Sequence, residues 1–201
     1  MNSPPSPPIR DESGNYKQDV RRFVRTIKEL EQEGIRAIVA SCGFFALLQK
    51  VAVTEVRVPV FTSPLMLIPL LHRMICPDQS IGVITASAKK LTRAYLEAAG
   101  VDESIPIAVA GLDDSKEFNE VLMPGRRDVL DTDILRNDVV TAARGPAERH
   151  PDIGVVLLEC SDLPPCALVS KTLWSYPYPT LSVFINAIHQ ALVQKRYTGI
   201  M

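Results

Sequence analysis

The chain is poor in the residues that mark secreted, metal-stapled or nucleic-acid-binding proteins. Its 201 residues include four cysteines, three histidines and one tryptophan, and the net charge is −1. Cysteines so widely spaced form no disulfide framework, and Cys160 and Cys166 match no common metal motif. Free thiols in a reducing cytoplasm are the expectation. There is no basic cluster, so nucleic acid and anionic membrane surfaces are not expected partners. No apolar run reaches the ~18 residues of a transmembrane helix. The nearest, Pro64 to Ile75, is interrupted by Pro69, His72 and Arg73. Met1 to Pro8 has no apolar stretch and does not read as a signal peptide.

What is present is apolar residue, 46% of the chain, enough for one domain or two small lobes. Residues 1–18 read as a disordered segment, with four prolines in the first eight positions. From Asp19, Val20, Phe23, Val24, Ile27 and Leu30 recur at helical spacing, and Gly34 supplies the stop. Strand Ile35–Ala40 and a helix over Gly43–Val51 follow, then a short strand Val58–Phe61. Ser63-Pro64 opens a helix, with Ser as N-cap and Pro in the first turn, and Cys76-Pro77 ends it. Next are strand Ile81–Thr85, a helix to Ala99 stopped by Gly100, and strand Ile105–Ala110. Ser115–Leu122 and Asp131–Ala143 read as helical, and Gly145-Pro146 should break or kink any continuation toward His150. Strand Ile153–Leu158, a helix over Pro165–Leu173, an extended Tyr178–Val183 and a helix Phe184–Lys195 complete the chain. Strands alternate with helices and are continuously apolar, which predicts α/β architecture with parallel sheets covered on both faces.

One phrase occurs twice. Ile35 to Cys42 and Ile153 to Cys160 are each a strand with a thiol at the eighth position. Cys42, Thr85 and Cys160 fall at carboxyl ends of strands, where ligands sit in such sheets. A cysteine before a helix faces amides that favour thiolate. A substrate carboxylate could rest on the amides around Ser41–Gly43 and Ser161–Asp162, with Gly43 allowing close approach and Asp162 a candidate N-cap. Two thiols beside one α-carbon suit two-base racemisation, which needs no cofactor but does need donors at the carboxylate. Ser41, Thr85 and Ser161 are the candidates. Against this stands plain packing, since cysteine is among the most buried residue types. Cys76 and Cys166 read as structural. His72, His150 and His189 read as surface or packing residues, and Trp174, Tyr176 and Tyr178 as core or interface.

Ala40-Ser41-Cys42-Gly43-Phe44 and Leu157 to Pro165 resemble the two cysteine motifs of the aspartate/glutamate racemase superfamily, which includes hydantoin racemases, maleate isomerases and arylmalonate decarboxylases. Val58 to Ser63, Ile81 to Ala86 and Leu96 to Val101 are similar to intermediate segments of the same family. The resemblance runs from about Phe23 to Tyr197. It implies two pseudo-symmetric flavodoxin-like lobes with the site between them: 19–76 plus 166–201, and 77–165. It implies Cys42 and Cys160 as catalytic thiols, with Ser41, Gly43, Thr85 and Ser161 holding the substrate carboxylate. The chain departs from the family at Asp162, at Thr180, and before Asp19, where no counterpart of the family's first strand is found.

The expected function is therefore a cofactor-independent racemase or epimerase acting on a small carboxylate, with no metal, and with a second copy of the chain as the possible assembly partner. An isomerase or decarboxylase of the same superfamily is the alternative enzyme. A catalytically impaired binding protein is the alternative from another class.

Overall fold

A computed structural model of the chain describes residues 16–122, 129–163, 177 and 179–193. Helix α1 spans Tyr16–Gln32 and begins with Asp19 in its first turn, where a carboxylate suits the helix dipole. Phe23 and Ile27 are buried on one face, with Val20 and Leu30 packed beside them. Gly34 then takes a φ of 85°, a left-handed conformation that glycine adopts without strain. The chain continues into β1, Ile38–Val39. A 3-10 turn over Gly43–Leu48 leads into α2, Gln49–Glu55, and then β2, Val60–Phe61.

β1 and β2 pair in parallel, with Ile38 opposite Val60 and Val39 opposite Phe61. Their short ladder is supplemented by side chains. Gln49 Nε2 donates to the Val60 carbonyl at 2.9 Å, and Gln49 Oε1 accepts from both the amide and the hydroxyl of Thr62. Glu31 Oε1 accepts from the amides of Arg57 and Val58, tying α1 to the segment before β2. The small core beneath them joins Phe23, Ile27, Ile38, Phe45, Leu48, Ala52, Val56 and Val60. The rings of Phe23 and Phe45 stack at 5.9 Å.

Ser63 caps a second 3-10 turn, Pro64–Leu67, by accepting from the Leu65 amide at 3.1 Å. Helix α3, Ile68–His72, leads to the larger sheet. Its strands are β3, Ser80–Thr85; β4, Ile107–Gly111; and β5, Ile153–Leu158, all parallel in the order β4-β3-β5. Every residue of central β3 is buried, which is why its sequence does not alternate. Between β3 and β4 lies α4, Arg93–Ala98, closed by Gly100 at φ 81°. A π-turn at Phe118–Leu122 precedes α5, Thr132–Arg149, capped by Asp131. The last described helix is α6, Leu181–Leu192, capped by Thr180.

The fold class agrees with expectation, while several local boundaries differ. β1 is two residues long because its ladder is short: the bonds from the Ile38 amide to the Pro59 carbonyl and from the Ala40 amide to the Phe61 carbonyl bracket it. The helix expected over Gly43–Val51 starts as a 3-10 turn. The helix from Pro64 ends at His72, before Cys76-Pro77. The expected break at Gly145-Pro146 does not occur: α5 runs through to Arg149, and burial of Pro146 offsets the missing backbone donor. Tyr178–Val183 is not extended throughout, since α6 already begins at Leu181. Pro177 and Pro179 do lie along β5, their carbonyls accepting from Val156 and Leu158. The expected helix at Pro165–Leu173 and the segment 1–15 fall outside the described residues.

Aromatic contacts tie the two sheets' surroundings together. Phe44, from the 3-10 turn after Cys42, packs edge-on against Tyr95 of α4 at 5.0 Å. At the other end of the chain, Phe184 of α6 packs edge-on against Phe61 of β2 at 4.8 Å, and Arg36 reaches the Leu192 carbonyl at 3.1 Å.

Candidate active site

The carboxyl ends of β1, β3 and β5 converge on one small region. Cys42 is the extended residue that precedes the 3-10 turn, and its carbonyl accepts from the Phe45 amide at 3.0 Å. Ser63, itself buried, donates its hydroxyl to the Gly43 carbonyl at 2.9 Å and so pins the Cys42–Gly43 turn. Cys160 lies just past β5, where Leu163 donates back to its carbonyl at 3.2 Å and closes a turn. The Cys160 thiol faces Asp162 Oδ2 at 3.6 Å. The two cysteines feel one another electrostatically, and both feel Glu159 and Asp162.

Glu159 lies among these groups and is not one of the residues expected from the sequence. It is fully buried. Its amide donates to the Ile84 carbonyl at 3.0 Å, and Thr85 Oγ1 donates to its Oε2 at 2.6 Å. The other oxygen, Oε1, has no hydrogen-bond partner among the described residues, although the amides of Gly43 and Ala86 lie close enough to favour the anion. A Cβ on Gly43 would overlap this carboxylate, so only glycine fits there. Burial is the dominant cause and pushes the Glu159 carboxyl up to about 7, against Thr85 and the two amides. The signal in the sequence was an acidic residue closing an apolar strand, one place before a cysteine.

The same environment disfavours thiolate. The Cys42 thiol is pushed up to about 12, first by burial, then by Glu159 and Asp162, while the amides of Phe44 and Phe45 oppose the change. Cys160 is raised more strongly still, by burial and by Glu159, Asp162 and Cys42, against the Asp162 amide. The activating effect expected from the following helix is present in these amides but is outweighed. No cation among the described residues contributes to either thiol.

The expected carboxylate-holding residues are placed differently from one another. Ser41 is exposed and Ser161 is half-buried, each flanking its cysteine. Gly43 is buried against Glu159, and Thr85 is buried with its hydroxyl committed to Glu159. Asp162 is exposed with its carboxylate toward the Cys160 sulfur, and the helix it was expected to cap lies outside the described residues. Cys76 is exposed and free. Among the described residues, no helix is long and apolar enough to cross a membrane.

The fold has counterparts among solved structures. A glutamate racemase isoform from Bacillus anthracis superposes with a TM-score of 0.58 at 18% identity, covering 90% of this chain and 68% of that one. A mutant of arylmalonate decarboxylase superposes with a TM-score of 0.54 at 17% identity, covering 94% and 80%. The chain thus shares the fold of glutamate racemases and of the decarboxylase. No protein-family profile matches it.

In sequence, the chain is similar to curated enzymes of another name. It is 31% identical over 160 residues to a dimethylsulfoniopropionate lyase of Durusdinium sp. clade D, covering 77% of this chain and 52% of that protein. It is 29% identical over 198 residues to dimethylsulfoniopropionate lyase 7 of Emiliania huxleyi (strain CCMP1516), covering 94% and 57%. The chain spans about half the length of these curated relatives.

Proposed function

We propose that the chain carries a carbon-acid site in which the Cys160 thiolate removes a proton next to a carboxylate, and that the reaction is β-elimination from a sulfonium-bearing propionate. The observation that carries this reading is the convergence of two thiols with Asp162, with no described cation facing them. Such a site suppresses thiolate on its own. A substrate that brings a positive charge reverses the field: a unit charge about 5 Å away at an effective dielectric near 20 is worth about 3 kcal/mol, or roughly two pH units. Cys160 has a route for its proton, through the exposed Asp162 to solvent. Cys42 has no such described acceptor, and with its thiol pushed up to about 12 it is overwhelmingly protonated near neutral pH.

The step balances without a further reactant. The Cys160 thiolate takes the α-proton, the C–H electron pair becomes the Cα–Cβ double bond, and the Cβ–S bond breaks. Its pair stays on sulfur, turning the sulfonium into a neutral thioether. With dimethylsulfoniopropionate the products are dimethyl sulfide and acrylate. The similarity to the lyases supports this reading.

The second reading is the two-thiol racemase. It is favoured by the position of Cys42 and Cys160 at matching strand ends and by the fold shared with glutamate racemases. Here Cys42 returns a proton to the face opposite Cys160, and no leaving group is needed.

The two are separated by incubating the chain in D₂O with dimethylsulfoniopropionate and, separately, with each enantiomer of aspartate and glutamate. Elimination predicts dimethyl sulfide in the headspace and an equal amount of acrylate by NMR. Deuterium at the α-carbon of an amino acid, with no thioether from the sulfonium compound, would establish the racemase instead. A folded protein that does neither is a binding protein.

A further inference from the structure

We propose that Glu159 is a positioning residue that acts through Cys42, holding its turn in place and, by its own ionisation, setting the pH range in which the thiol can lose its proton. The inference rests on the reading of Cys42 and Cys160 as the two thiols of one site. Its geometry is independent of any substrate. Glu159 joins three strand ends: its amide and side chain bind Ile84 and Thr85 of β3, it closes β5, and it fills the space that a side chain at Gly43 would need. The described ionisable groups around the pair are all acidic: Cys42 ahead of the 3-10 turn, and Cys160 and Asp162 after β5. Thr85 supplies a hydroxyl, and Gly43 and Ala86 supply amides. A buried carboxyl with one unpartnered oxygen and no described cation keeps its proton more readily than water would allow.

Consequently Glu159 and Cys42 compete to be the single negative charge. While Glu159 is protonated, each unit of pH increases Cys42 thiolate about tenfold. Once Glu159 ionises, near pH 7, its charge opposes thiolate and the increase stalls.

The test is the rate of iodoacetamide alkylation at Cys42, followed cysteine by cysteine by mass spectrometry across neutral and alkaline pH. It requires no turnover. The wild-type rate should flatten above neutrality, whereas Glu159→Gln should keep rising and exceed wild type by about tenfold or more at the alkaline end. Thr85→Val provides a second, nearly isosteric perturbation. It removes a hydrogen bond that favours the Glu159 anion, so the flattening should move to higher pH. Profiles of one shape in wild type and both variants would overturn the proposal. If Glu159→Gln fails to fold, an unmoved flattening in Thr85→Val overturns it alone. Absence of turnover with the alkylation pattern intact would sink the catalytic reading and leave the coupling standing.

Discussion

Replacing Glu159 with glutamine should change how the stability of this protein depends on pH. Glu159 is fully buried, and its carboxyl is raised from 4.5 to about 7, mainly by desolvation. The sign follows from proton counting. Below about pH 4.5 the carboxyl is protonated in both folded and unfolded chains and contributes nothing. Above it, the unfolded chain ionises first, so the folded state is progressively disfavoured until Glu159 itself ionises near pH 7. The interval from 4.5 to about 7 is about 2.5 pH units, and at roughly 1.4 kcal/mol per unit the loss is about 3 kcal/mol. Glutamine keeps the shape and cannot ionise. Any fixed cost of placing its amide near the Gly43 and Ala86 donors is the same at every pH. Urea unfolding of both proteins at several values between about pH 4 and pH 8 gives the difference directly. The variant should gain about 3 kcal/mol on wild type across that range. Parallel stability curves would refute the argument that this carboxyl resists ionisation by burial.

Three further outcomes follow from the same geometry. Gly43→Ala should force the turn or the Glu159 carboxylate to move, costing about 1–3 kcal/mol by urea unfolding and most of the activity. Iodoacetamide near neutral pH should label exposed Cys76 well before Cys42 or Cys160; relative to the ordinary 9.0, a thiol at about 12 has about a thousandth of the thiolate. Ser63→Ala should lose the cap on Leu65 and the hold on the Gly43 carbonyl, lowering stability by about 1–2 kcal/mol and reducing activity more than a surface serine substitution does.

Much of the frame was legible because it depends on local chemistry. The apolar run Ile153–Leu158 is a strand with those limits, Ser63 caps where a Ser-Pro pair suggests, and Gly34 and Gly100 both take positive φ. Those features need only neighbours in sequence. The errors arise where distant partners decide. β1 is cut to two residues by what β2 can pair with, and Pro146 stays helical because the core covers it. The site divides in the same way. Cys42 and Cys160 are visible in the sequence as paired strand ends, and each lies near enough to Glu159 and Asp162 to feel their charge. Thr85 was read as a substrate contact, yet its hydroxyl is engaged by a carboxylate 74 positions away. Glu159 stood inside the repeated phrase, but nothing local indicates that its side chain turns inward against Gly43. The expected thiolate depended on helix amides alone, and burial with two carboxylates outweighs them.

The measurement closest to the central claim is release of dimethyl sulfide from dimethylsulfoniopropionate by the wild type, Cys160→Ser and Cys42→Ser, each shown to be folded by circular dichroism. If the thiols carry the reaction, wild type releases the thioether with equimolar acrylate, and Cys160→Ser falls by about a hundredfold or more, as loss of a general base requires. Undiminished release from the Cys160 variant would contradict the account.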